Sequence, residues 1–93
     1  MAYIPKSKGL YAVAVYELQN GDSEDFRISL ICKTMDEASH CGTLECQYYI
    51  DHGYELDYHG WANGYGAKNK YLWQLSRGND FVSIIASISA FLQ

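Results

Sequence analysis

Positive charge is scarce in this chain. Seven lysines and arginines face eleven aspartates and glutamates, for a formal charge of −4. Broad binding to a phosphate backbone draws on cationic side chains that displace counterions, so a general nucleic-acid coat is disfavoured, and only a local basic patch is left open. Paired cysteines are missing as well. Cys32, Cys41 and Cys46 are odd in number and show no Cys-x-x-Cys spacing, whereas a secreted disulfide framework shows an even count. Reduced thiols and a cytoplasmic location are the expectation. Long apolar runs are also absent. The longest uncharged stretch, residues 81–93, falls short of the roughly twenty residues that span a bilayer. Met1 to Pro5 is too short for the apolar core of a signal peptide, and Lys6 and Lys8 follow it rather than precede it. No membrane partner is expected. Proline occurs once, at Pro5, ahead of the first regular element, where it interrupts nothing.

Core-forming residues are plentiful. The chain is 48% hydrophobic and 19% charged over 93 residues, enough for a single domain spanning 1–93 and too little for two. "LYAVAVYEL" (10–18) is rich in β-branched and aromatic residues and reads as a strand, apolar on both sides and therefore central. Asn20-Gly21 then signals a turn. "FRISLICK" (26–33) alternates, with Phe26, Ile28, Leu30 and Cys32 on one face, and completes a hairpin.

"TMDE" opens a helix. Thr34 is a good N-cap and Glu37 stands three residues on, the spacing of a capping box. Met35, Ala38, Gly42, Cys46 and Tyr49 form one stripe, with Ile50 at its edge. Gly42 within that stripe points to close approach of the helix to a sheet, and Gly53 fits the position just past the helix end.

A second hairpin follows. Tyr54, Leu56 and Tyr58 alternate with Glu55, Asp57 and His59, and Tyr71, Trp73 and Leu75 share one face of "KYLWQLS". "RGND" then breaks the chain, with Asn79 or Asp80 as a helix cap. Phe81, Ile84, Ile85, Ile88, Phe91 and Leu92 fall at helical spacing. The expected fold is α+β: a two-layer sandwich in the order ββαββα, with a mostly antiparallel four-stranded sheet and two helices on one face. If Leu10, Ala12, Ala14, Tyr16 and Leu18 face the helices, then Tyr11, Val13 and Val15, with Ile31 and Leu72, face outward as an apolar patch of the kind that marks interfaces. The closing helix would expose Ser83 and Ser87 among small uncharged residues that admit a neighbour. Tyr11, Val13, Val15, Ser83 and Ser87 are accordingly the candidates for self-association as a homodimer.

Chemical motifs are few. The cysteines and His40, His52 and His59 lack zinc-ligand spacing, so neither a metal nor a cofactor is expected. Nucleophile elbow, P-loop and dinucleotide fingerprints are absent, and no catalytic residue is assigned. Asp57 and His59, two apart on a strand, are the one pair that would suit an enzyme.

Trp61, Tyr65, Lys68 and Lys70 surround the second hairpin's turn and are candidate partner-binding residues. Tyrosine and tryptophan are good interface anchors; the alternative is base stacking with Tyr71 and Trp73 in a single-stranded nucleic-acid binder, although those two share a face with Leu75 and most simply point into the core. Asp22, Glu24, Asp25, Glu55 and Asp57 are candidate acidic contacts. The cluster around Asp22, with Glu17, is either a solvated turn or a phosphate-like decoy for a basic groove. A small, acidic, tyrosine-rich chain without catalytic motifs resembles, in size and composition, inhibitors encoded by phages and mobile elements. That resemblance implies a protein that acts stoichiometrically by occupying a surface of another protein or complex, one that itself binds nucleic acid.

Overall fold

The computed structural model describes residues 10–61 and 70–88. In chain order these form β1 (Tyr11–Gln19), β2 (Ser23–Cys32), α1 (Met35–Asp51), β3 (Glu55–Trp61), β4 (Lys70–Arg77) and β5 (Asp80–Ile88). The strands make one antiparallel sheet in the order β2-β1-β5-β4-β3. The class is α+β, but the expected four strands and two helices are corrected to five strands and one helix.

The correction lies in β5. Residues 81–88 carry apolar side chains at helical spacing, yet Val82, Ile84 and Ala86 alternate with Phe81, Ser83 and Ile85, and the first three are the ones buried. Val82, Ile84, Ile85 and Ile88 are β-branched, which favours a pleated, half-buried surface over a helix. The preceding "RGND" is a two-residue hairpin turn. Arg77 pairs with Asp80, and Gly78 holds φ +60 at the first central position, as a II′ turn requires. Asp80 caps no helix. Its carboxylate accepts the backbone N–H of Asn20 at 3.0 Å and faces Arg77 at 3.4 Å. One side chain thus ties the β4–β5 turn to the β1–β2 turn, where Asn20 and Gly21 supply the paired positive φ of a hairpin.

With β5 between β1 and β4, β1 is central. The helix covers the side opposite to the one expected. Val13 and Val15 are fully buried beneath α1 with Ile84, Ala86, Leu75 and Trp73. Ala12, Ala14 and Tyr16 lie on the far side with Phe26, Ile28 and Ile85. The apolar stripe of the helix is as expected: Ala38, Gly42, Cys46 and Tyr49 are buried. Thr34 accepts the N–H of Glu37 at 3.2 Å and donates its hydroxyl to the Glu37 carboxylate at 3.0 Å. At the other end Gly53 donates to Ile50 and Tyr54 to Tyr49, the two bonds of a Schellman motif, with the Tyr49 and Tyr54 rings in edge contact.

Two bulges reset the faces of the edge strands. In β2 the pairing steps from Leu30 to Ile28 across one residue of β1, and in β3 it steps from Leu56 to Tyr58. Phe26 and Ile28 therefore lie away from the helix while Cys32 lies under it. In β3 the extra residue, Asp57, brings Leu56 onto the same side as His59 and Trp61.

Candidate binding groove

Gly42 determines how α1 meets the sheet near β4. A Cβ at this position would lie 2.3 Å from two atoms of the Trp73 indole. The missing side chain lets the ring slide under the helix, where Trp73 is only 6% exposed. The helix packs mainly over β5, β2 and β1, and a groove of about 490 Å³ opens between its flank and the β3–β4 margin.

One wall is helical. Ser39, Thr43, Gln47 and Ile50 follow one another at three- and four-residue steps and so share a flank, with Cys46 at its core edge. The other wall is the sheet side of Leu56, His59, Trp61, Tyr71 and Trp73. The rings interlock: Trp61 meets Tyr71 at 5.2 Å and 84°, and Tyr71 meets Trp73 at 4.7 Å and 55°. His59 Nδ1 lies 2.9 Å from the Tyr71 hydroxyl oxygen. Trp61 remains 48% exposed at the mouth.

Two polar groups of the helical wall each have a proton engaged. Thr43 donates its hydroxyl to the Ser39 carbonyl at 2.9 Å, and the Gln47 amide nitrogen donates to Asp51 at 2.8 Å. Burial pushes the Cys46 thiol up, so the thiolate is disfavoured. Among the described residues, histidine apart, no ordinarily charged side chain lines the groove. Its chemistry is that of a neutral, aromatic recess with acceptor oxygens on one side.

Of the residues singled out in the sequence, Trp61 lines this groove; Tyr65 and Lys68 lie outside the described residues. Lys70 is half-buried and pairs with Ser87, while its neighbour Tyr71 points the other way, into the groove. Glu55 and Asp57 are exposed on β3. Asp22, Glu24 and Asp25 are exposed at the β1–β2 turn, at the end of the sheet opposite Trp61. Glu24 borders a smaller hollow of about 260 Å³ with Ser83, Tyr16 and Phe81. Val13, Val15 and Ser87 are fully buried and Tyr11 is half-buried against the core. His59 is bonded to Tyr71 rather than to Asp57. Among the described residues, no three metal-ligating side chains converge, and no helix is long and apolar enough to cross a membrane.

No family model, curated protein or solved structure matches the chain.

The sequence reading missed the helical wall. Its signal was present: Ser39, Thr43, Gln47 and Ile50 form an uncharged stripe beside the core stripe, on a helix whose other flank carries Glu45. Leu56 was assigned to the face of Tyr58, and the bulge at Asp57 separates them.

Proposed function

We propose that the protein is a stoichiometric binding module that holds a segment of another protein in the groove between α1 and the β3–β4 margin. The observation that carries this reading is the half-exposed Trp61 ring braced by Tyr71 at the mouth of a neutral recess. A large ring held rigidly at low entropic cost is what interface anchors have in common. The acidic residues on β3 and at the β1–β2 turn add attraction for a basic partner surface. Where that surface is a nucleic-acid-binding groove, occupying it inhibits the partner.

The test is affinity capture from the native host, comparing the wild-type chain with Trp61→Ala. The expected result is a protein retained at a defined ratio by the wild type and lost with the variant, while circular dichroism shows both folded. Recovery of nucleic acid without protein, or equal retention of the protein by Trp61→Ala, overturns the reading.

A further inference from the structure

We infer that the aromatic corner of the groove receives a cation, the guanidinium of an arginine on the partner; this rests on the binding-module reading and names its anchor. Three independent features converge on this chemistry.

The first is the hydrogen-bonding sense of the helical wall. Gln47 has its amide N–H directed to Asp51 and Thr43 its hydroxyl proton directed to the Ser39 carbonyl. Asp51 accepts only, so the orientation of the Gln47 amide is fixed by it. The amide oxygen of Gln47 and the lone pairs of Thr43 remain open as acceptors, beside the second amide N–H of Gln47 and the Ser39 hydroxyl. These acceptors suit a group that only donates, and the guanidinium offers five N–H donors and no acceptor.

The second is the ring geometry. Trp61 and Tyr71 stand nearly perpendicular, at 84°, so the corner presents a π face beside a ring edge. A planar cation stacks on such a face, and tryptophan binds cations best among the aromatics. The fold already contains one such contact elsewhere, with the Arg77 guanidinium 4.4 Å above the Tyr54 ring.

The third is charge. Among the described residues no lysine or arginine lines the groove, Asp51 adjoins it through Gln47, and the chain carries −4 overall. A cationic head meets no like charge among these residues, and its aliphatic stem would lie along Ile50 and Leu56.

Both tryptophans of the chain line the groove, so indole fluorescence reports its occupation directly. The probes are three acetylated and amidated hexapeptides of serine and glycine with one central residue: arginine, its neutral isostere citrulline, or norleucine. The arginine peptide is expected to bind about tenfold more tightly than either of the others, the size of difference a partly desolvated cation–π contact gives. Gln47→Lys puts a cation on the exposed helix flank, four residues before Asp51, where the fold tolerates it. It is expected to weaken the arginine peptide about tenfold and to leave norleucine unchanged. Equal binding of all three peptides, tighter binding of norleucine, no binding by any of them, or an arginine affinity unmoved by Gln47→Lys overturns the cation assignment. The binding-module reading stands or falls separately, on whether Trp61→Ala loses the captured protein.

Discussion

Gly42 has no side chain because Trp73 occupies the space where one would stand. Alanine there gains about 1 kcal/mol of helix propensity over glycine, but pushes against indole carbons that belong to the core. Overpacking of this kind costs about 1–3 kcal/mol, and a ring wedged between helix and sheet has little freedom to retreat. Gly42→Ala is expected to lower stability despite the better helix former. In a Trp61→Phe background, where Trp73 alone emits, it is also expected to shift the emission to the red as the ring moves toward solvent. A more stable Gly42→Ala with unchanged emission would contradict this packing. At this scale the sequence was informative. Gly42 lay within an otherwise apolar stripe, and glycine at such a position implies the close approach of another element, whichever element that is. Thr34, Glu37 and Gly53 were legible on local ground, since caps are settled within a few residues of chain.

Elements joined across the chain were harder to read. The apolar residues of β5 satisfy a helical period and a strand period at once. What selects the strand is a place between β1 and β4, more than fifty residues away from β1 in sequence. The bulges at Ser29–Leu30 and Asp57 had the same effect on facing: alternation extrapolated through an extra residue assigns every later side chain to the wrong side. Hence Leu56 and His59 read as opposed. Tyr11, Val13 and Val15 do share one side of β1, and only the choice of which side the helix covers was inverted. Asp80 shows how such long-range order is held. Asp80→Ala removes the acceptor of the Asn20 N–H and the partner of Arg77. A net loss of about 1 kcal/mol is expected, seen as a fall of about 4–8 °C in the melting midpoint. Asp80→Asn, whose amide oxygen can still accept from Asn20, is expected to restore most of it.

Helix and sheet are also linked by charge. Arg27 of β2 is paired with Glu45 of α1 at 2.7 Å, and Tyr49 of α1 donates its hydroxyl to Glu17 of β1. Burial, reinforced by the bond to Glu17, pushes the Tyr49 phenol up to about 12 from its ordinary value of 10.0. The folded state therefore keeps this proton while the unfolded chain releases it. The contribution is complete below pH 10 and is lost as pH rises through 12. Thermal melts across that window are expected to show a steeper decline for the wild type than for Tyr49→Phe, which has no proton to lose. Parallel declines would mean that Tyr49 does not couple to folding.

At the scale of the whole molecule, the two sets of candidate contacts stand at opposite ends of the sheet and act on different steps of binding. Asp22, Glu24 and Asp25 are exposed, solvated and distant from the groove, so they contribute a field rather than a fitted contact. Fields act on encounter, raising the association rate toward an oppositely charged partner and fading with ionic strength. Trp61, braced against Tyr71, forms contacts only once the partner is seated, and such contacts govern dissociation. Two variants separate these roles once a partner is in hand. Neutralising Asp22, Glu24 and Asp25 as Asn, Gln and Asn is expected to lower the association rate several-fold at low salt, to converge on the wild type near 0.5 M salt, and to leave the dissociation rate alone. Trp61→Ala is expected to raise the dissociation rate by about tenfold or more, with little change in association. Stopped-flow mixing over a salt series reads both constants. If the acidic triple variant changed dissociation instead, those residues would be fitted contacts, and the partner would reach from the groove to the far turn. If neither constant moved in either variant, the partner would bind elsewhere on the sheet.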